Sequence, residues 1–388
     1  MTGRARRDDI AGAGTVSVSI ESAGDHGRLE SWWRDLETRA DGSFFLSWNW
    51  IGTWLAESRS RPRILVARVN GRIVALGLLH PARTVRHRWL HSNAVYLNQA
   101  GDRAEDVIFI EYNGVLVDRA FDPAAVEACL RHLAAIDRLA EGLPEWDELV
   151  LSGVEARYET LAREAGLSCR IAARRPSAAI DLEAIRLDGG AYLDHLGRNT
   201  RQQIRRAMRL YERRGALSIQ AAASVEEALA WFEDMRAPHQ NRWTGRGQPG
   251  VFAHPFFVRF HRALIGRALV AGAVEMLRIT AGEATIGYLY NFIHRGWVGY
   301  YTSGFVYEDD ARLKPGLVCH ALAARRHLDA GALRYDFMAG GGRYRRNLGT
   351  PGPDMIDLVL TRPRLKFRIE DALRGLKGWL RGSGQGDE

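Results

Sequence analysis

At 388 residues, 46% apolar and 26% charged, the chain is long enough for two or three ordinary domains, and no apolar run nears the ~20 residues of a membrane-spanning helix. Its formal net charge of +8 favours a phosphate-bearing cofactor or nucleic acid as partner. Cys129, Cys169 and Cys319 lie far apart without Cys-x-x-Cys spacing, which argues against a disulfide framework or a zinc site. Lysine occurs only at 314, 366 and 377, so the basic residues are nearly all arginine. The arginine fork suits phosphate and carboxylate, although a GC-rich genome produces the same skew.

Residues 1–14 read as a disordered tail. The basic N-terminus lacks an apolar core, so no signal peptide is predicted and a cytoplasmic chain is expected. Residues 22–40 predict a helix, and 47–59 an aromatic-rich helix with Ser47 as its N-cap. Residues 63–85 predict a hairpin turning at Asn70-Gly71. VIFIEYNGVLVD reads as an extended run broken at Asn113-Gly114. A helix capped by Asp122, with Pro123 in its first turn, is expected next. A buried strand over 147–154, a short helix ending at Gly166 and an edge strand leading out over 168–182 complete this half.

The second half repeats the order. Residues 192–215 predict a helix closing at Gly215, and 224–243 a helix capped by Ser224 with Glu227 at capping-box spacing. Another helix spans 254–272. Residues 273–306 predict three strands with turns at Ala281-Gly282 and Arg295-Gly296. A helix follows over 314–331, then strands over 332–341 and 355–362. The expected architecture is therefore mixed α/β, with predominantly antiparallel sheets in two tandem domains, 15–180 and 181–362. Residues 363–388 read as a basic amphipathic helix and tail, which either docks on its own domain or lies on an anionic membrane.

Three stretches carry a family likeness: LGRNTRQQIRRAMRLYERRGAL, YYTSGFVYEDDARLKPGLVCHALA and GALRYDFMAGGGRYRRNLG. In order and spacing, together with SWNWIGTWLAE and the first hairpin, they resemble the GNAT superfamily, more narrowly its CelD-like acetyltransferase branch related to the Fem aminoacyltransferases of peptidoglycan synthesis. The resemblance implies two GNAT-like domains, an acyl-donor side in the second half and an acceptor side in the first. The chain departs from the pattern in lacking a glycine-rich pyrophosphate loop before Gly316 and in carrying Arg345 where relatives have lysine.

The helix opening at Pro315-Gly316 offers free N–H groups and the positive end of its dipole to a phosphate, with Arg312 and Lys314 adding charge. Pro-Gly also simply starts helices. Tyr344 and Arg345 join these as cofactor-binding candidates through the third motif. Arg201, Arg205, Arg209 and Arg213 recur every four residues, as a phosphate surface or a solvated face. Of Tyr288, Tyr290, Tyr300 and Tyr301, Tyr301 is the candidate general acid because it precedes Thr-Ser-Gly, where the strand should open. Glu111 at the end of VIFI would orient or deprotonate an amine, with Tyr112 and Asn113 beside it; Asn113-Gly114 also reads as a plain turn. Asp336 is either catalytic or a holder of Tyr344 and Arg345. Trp243 and Tyr290 complete the substrate-binding set. No metal is expected, since no histidine–cysteine cluster has ligand spacing.

The leading functional expectation is transfer of an acetyl or other acyl group from acyl-CoA, as a co-substrate, to an amine of a sugar, amino acid or cell-envelope precursor. The alternatives are a Fem-type transferase using aminoacyl-tRNA and a non-catalytic polysaccharide- or nucleic-acid-binding protein on a GNAT shell. No stable DNA binding is expected.

Overall fold

A computed structural model describes residues 15–86, 90–340, 342–362, 364 and 367. The tail at 1–14 and almost all of the helix expected over 363–388 therefore lie outside the described residues.

In chain order the first half runs β1 (Ser17–Ser22), α1 (His26–Arg39), α2 (Trp48–Glu57), β2 (Arg63–Val69), β3 (Arg72–Arg86), β4 (Leu90–Leu97), β5 (Leu116–Val117), α3 (Ala124–Ala135), β6 (Glu148–Glu155), α4 (Arg157–Glu164) and β7 (Ser168–Arg175). After Pro176 come β8 (Ser177–Asp181), α5 (Leu182–Leu187), α6 (Arg198–Glu212), β9 (Leu217–Ala221), α7 (Val225–Thr244) and α8 (Pro255–Ala268). The chain ends with β10 (Val274–Ala281), β11 (Ala284–His294), β12 (Trp297–Phe305), α9 (Pro315–Asp329), β13 (Arg334–Ala339), α10 (Arg343–Leu348), β14 (Thr350–Pro351) and β15 (Met355–Thr361).

The local signals act as their chemistry dictates. Ser47 Oγ accepts from Trp50 N, and Ser224 Oγ from Glu227 N at 3.2 Å, so both predicted caps form. Asn70 and Gly71 take the left-handed conformations that a two-residue hairpin turn requires. Asp122 does not cap α3: its carboxylate is taken by Arg157 at 2.7 Å, and the N-cap position falls to Pro123 without a side-chain bond.

The described strands form two mostly antiparallel sheets, ordered β1-β2-β3-β4-β6-β15-β7 with β5 on β3, and β14-β8-β13-β12-β11-β10-β9. Each contains one parallel pair, β4 with β6 and β12 with β13, joined through a helical crossover. The sheets do not divide at residue 180. Pro176 interrupts the single edge strand read over 168–182, so β7 stays in the first sheet and β8 pairs with β13 in the second. Conversely β15, read as the last strand of the second domain, inserts between β6 and β7 in the first.

VIFIEYNGVLVD is the clearest local correction. Asp106–Ile108 is a single 3-10 turn, Phe109 and Tyr112 have positive φ, and only Leu116–Val117 is strand. An isolated parallel bridge joins Asn113 to Val154 beyond the point where β4 and β6 part.

Three apolar clusters hold the molecule. One belongs to the first sheet with α3, α4 and the exchanged β15, and one to the second sheet with α6 and α9. The third is shared: Phe44, Phe45 and Trp50 interlock with Phe260, Tyr290 and Phe292. Phe44 stacks on Phe292 at 4.3 Å and Trp50 meets Phe260 at 4.7 Å. Such rings bury large apolar areas and add edge-to-face attraction.

The shared cluster and the exchanged strands predict one cooperative unfolding event. Trp50→Ala should cost about 3–5 kcal/mol and lower a single calorimetric transition for the whole chain. Two transitions, only one of them displaced, would contradict the shared core.

Candidate active site

β12 and β13 pair only over Trp297–Gly299 and Arg334–Asp336, then diverge. On its other edge β12 stays paired with β11, but the register slips between Tyr290 and Asn291, leaving Tyr301 as the extra residue of a bulge. The divergence opens a cleft of about 920 Å³ whose walls include Tyr300–Ser303, Phe305, the start of α9 and the end of β13. Its far wall comes from the first half, through Phe109, Glu111 and Arg175.

The corresponding divergence in the first sheet is filled by its own chain. Asn113 N donates to Gly153 O at 3.0 Å, and its side-chain amide donates to Leu97 O at 3.0 Å. Asn98 Nδ2 donates to Asn113 Oδ1 at 2.9 Å and to Gly114 O at 2.8 Å. Gly153, at φ +66°, admits this plug: a Cβ there would stand 2.5 Å from Ile110 O. The plug carries Glu111 and Tyr112 toward the second sheet on opposite sides.

Glu111 enters the cleft, where Oε2 accepts from Ala339 N at 2.9 Å. Burial pushes its carboxyl up to about 7, against the lowering effects of the Ala339 N–H, Arg175 and Arg345. Tyr112 turns away, donating its hydroxyl to Asp336 Oδ2 at 2.9 Å. Asp336 is 2% exposed, and its Oδ1 accepts from Met338 N at 2.6 Å while Arg334 Nε lies 3.3 Å from Oδ2. Tyr112, Asn113 and Asp336 therefore line a separate pocket behind the cleft, of about 630 Å³, with Met338 between the two.

The other expected residues divide similarly. Glu111, Tyr301, Lys314, Gly316, Trp243, Tyr344 and Arg345 all line the cleft. Tyr301 donates its hydroxyl to Ile108 O, and burial, with Tyr290 and Glu111 nearby, holds its proton firmly. Arg345 Nη1 donates to Met338 O at 3.2 Å and to Ala339 O, bracing the strand end that grips Glu111. Tyr290 is fully buried behind Tyr301, with its hydroxyl 3.3 Å from His261 Nδ1. Pro315 is buried in the start of α9. Arg312 is exposed and paired with Asp310 at 2.7 Å, while Arg201 and Arg205 pair with Asp194 at 3.7 and 3.3 Å; none of these three lines the cleft.

Sequence reasoning passed over Arg175, Arg242, Arg246 and His320, which do line it. The spacing of Arg242 and Arg246 at the glycine-rich end of α7 was the available signal. Arg242 lies over the Tyr307 ring at 4.4 Å. Arg175, Arg242, Arg246, Lys314 and Arg345 face one carboxylate, Glu111, among the described lining residues, although Arg175 also pairs with Asp357 at 2.7 Å. Such a balance attracts anions. Lys314 takes the left-handed conformation as N-cap of α9, and Gly316 presents backbone to the cleft at the helix start.

The family model described as an acetyltransferase (GNAT) domain matches residues 198–346, from the start of α6 into α10. No curated protein matches the chain. Among solved structures it is similar to FemX, at 10% identity and TM-score 0.56, covering 87% of this chain and 95% of that one. It is also similar to the C-terminal domain of a protein described as a lysylphosphatidylglycerol synthetase from Agrobacterium fabrum, at 10% identity and TM-score 0.53, covering 91% and 95%. A third is L-PGS from Bacillus licheniformis, at 11% identity and TM-score 0.52, covering 91% and 97%. At these identities the likeness establishes the fold. Residues 198–346, which span the crossover and most of the cleft, are thus the part of the chain that matches the GNAT acetyltransferase family model, within a fold of two mostly antiparallel sheets.

Proposed function

We propose that the protein is an N-acyltransferase whose acyl donor enters between β12 and β13 and whose amine acceptor meets Glu111. The observation that carries this reading is the position of Glu111: a carboxylate supplied by the first half, set in the second half's cationic cleft and held at about 7. A general base works best when its pKa lies near the working pH.

In this reading Glu111 takes a proton from the incoming amine as its nitrogen attacks the acyl carbonyl carbon. A C–N bond forms, the bond from the carbonyl carbon to the donor's leaving atom breaks, and the leaving atom departs as an anion toward Lys314 and the arginines. The Ala339 N–H orients the carboxylate through Oε2. Tyr301 serves as wall and tether, its hydroxyl holding the segment that carries Glu111. The first half is thus the acceptor side and the second the donor side.

Acyl-CoA is the donor this cleft fits best: the start of α9 suits a pyrophosphate and the five bases suit its charge. The acceptor is an amine of a sugar, amino acid or envelope precursor. A second reading, aminoacyl-tRNA as donor, is favoured by α6, whose Arg205 and Arg209 stand exposed on one face outside the cleft.

Two measurements test the reading. Calorimetry should find that acetyl-CoA binds, and that Gly316→Glu weakens it by about 100-fold or more, since a like charge facing phosphate costs several kcal/mol. Unchanged affinity would move the donor elsewhere. For the base, Glu111→Gln should lower kcat by about 10²–10⁴-fold, and wild-type turnover should rise as pH climbs through about 7. The sign for stability is opposite. A carboxyl raised above its ordinary value stabilises the fold while protonated, and that contribution fades between about 4.5 and about 7. Glu111→Gln should therefore match or exceed the wild-type Tm at pH 8. A large loss of Tm there would make Glu111 a structural residue.

A further inference from the structure

His320 occupies the second turn of α9, is fully buried, and lines the same cleft as Gly316, Phe305 and Tyr300. Aromatic rings enclose it: Tyr300 at 4.6 Å, Phe337 at 5.2 Å, Phe305 at 5.6 Å and Tyr344 stacked at 5.6 Å. Its Nδ1 lies 3.0 Å from the Tyr335 hydroxyl, whereas Nε2 has no partner among the described residues. A buried polar atom left unpaired is costly, and native folds pair such atoms with a bound water or a ligand.

The proton can be placed by counting. Among the described residues His320 Nδ1 is the one hydrogen-bond partner of the Tyr335 hydroxyl. If Tyr335 donates, Nδ1 is the acceptor and Nε2 carries the hydrogen, leaving one group unpaired. The other tautomer would strand both the Tyr335 hydrogen and the Nε2 lone pair. Burial, with Arg345 nearby, depresses the ring to about 3, so it is neutral at physiological pH. The unpaired group on this cleft-lining residue is thus an uncharged N–H, buried in an aromatic, low-dielectric sleeve. That environment suits a neutral acceptor and disfavours a phosphate, which would shed its hydration into aromatic surroundings.

We propose that His320 Nε2–H is a specificity-determining donor that binds a carbonyl oxygen of the acyl donor, either the acyl carbonyl itself or an amide carbonyl of the carrier. It exchanges no proton; it fixes the oxygen and with it the depth to which the donor enters. The inference rests on the reading that an acyl-CoA-type donor occupies this cleft.

The test compares acetyl-CoA and free CoA by calorimetry on wild type, His320→Phe and His320→Gln. Loss of the hydrogen bond in His320→Phe should weaken binding about 5- to 10-fold, with His320→Gln, which keeps an N–H, recovering part of it. Weakening of acetyl-CoA alone assigns the acyl carbonyl; equal weakening of both assigns an amide carbonyl. Unchanged affinities in His320→Phe, with the wild type binding normally, would overturn this inference alone. A wild type that binds neither ligand would overturn the donor reading and this inference with it. Because the Phe variant can disturb packing, ¹⁵N NMR on the wild type provides an independent check. Its His320 ring should be protonated at Nε2, should not titrate between pH 5 and 8, and should shift when acetyl-CoA is added. Protonation at Nδ1, or a titration near 6.5, would contradict the assignment.

Discussion

The hydrogen bond from Ala339 N to the Glu111 carboxylate is the contact on which the rest of this arrangement depends. It joins a loop of the first half to the end of β13 in the second, and it fixes a carboxyl that burial has made reluctant to ionise. Its neighbour makes the same connection on the other side, through the Tyr112 hydroxyl and Asp336. Two consecutive residues, turned apart by positive φ at Tyr112, thus staple both faces of one strand end. Asp336, Arg334 and Arg345 brace that end in turn.

The two sheets share a plan, a parallel pair that splays after a helical crossover, but they use the splay differently. In the first, Asn98, Asn113 and Gly153 close it with backbone and amide hydrogen bonds, and closing it pushes Glu111 outward. In the second it stays open, with the bulge at Tyr301 on the other edge of β12. One gap filled and one gap open is how two sheets of like plan yield a single composite cleft. The exchange of β8 and β15, with the shared aromatic cluster, keeps the two halves in register at the precision that a 2.9 Å contact demands.

Much of this was legible in the sequence because it is encoded locally. Asn70-Gly71, Ser47 and Ser224 act within a few residues, and the three-strand meander of 273–306 carries its own turns and alternation. Glu111, Tyr301 and Lys314 stood out in the sequence as candidates, since a carboxylate after an apolar run and a helix start after a strand are both conspicuous, and all three line one cleft. What was not legible is non-local. VIFI has strand composition, yet tertiary pairing with Gly153 makes it an irregular plug. Nothing in MIDLVLT says that its partners lie some 200 residues back, in β6 and β7. Asp336, expected from its place in the third motif to be either catalytic or a holder of Tyr344 and Arg345, is met instead by Tyr112, Arg334 and the Met338 N–H. Arg312 and Arg201 had the right charge and the wrong neighbours, each already facing an aspartate.

Central to the account is a carboxylate from one half that titrates inside the cleft of the other. Carbon-13 NMR of glutamate side-chain carboxyls, with the Glu111 signal identified by its loss in Glu111→Gln, measures this directly. An inflection near pH 7 is expected, with a displacement of that signal when acetyl-CoA is added. An inflection near the ordinary 4.5, indifferent to acetyl-CoA, would contradict it.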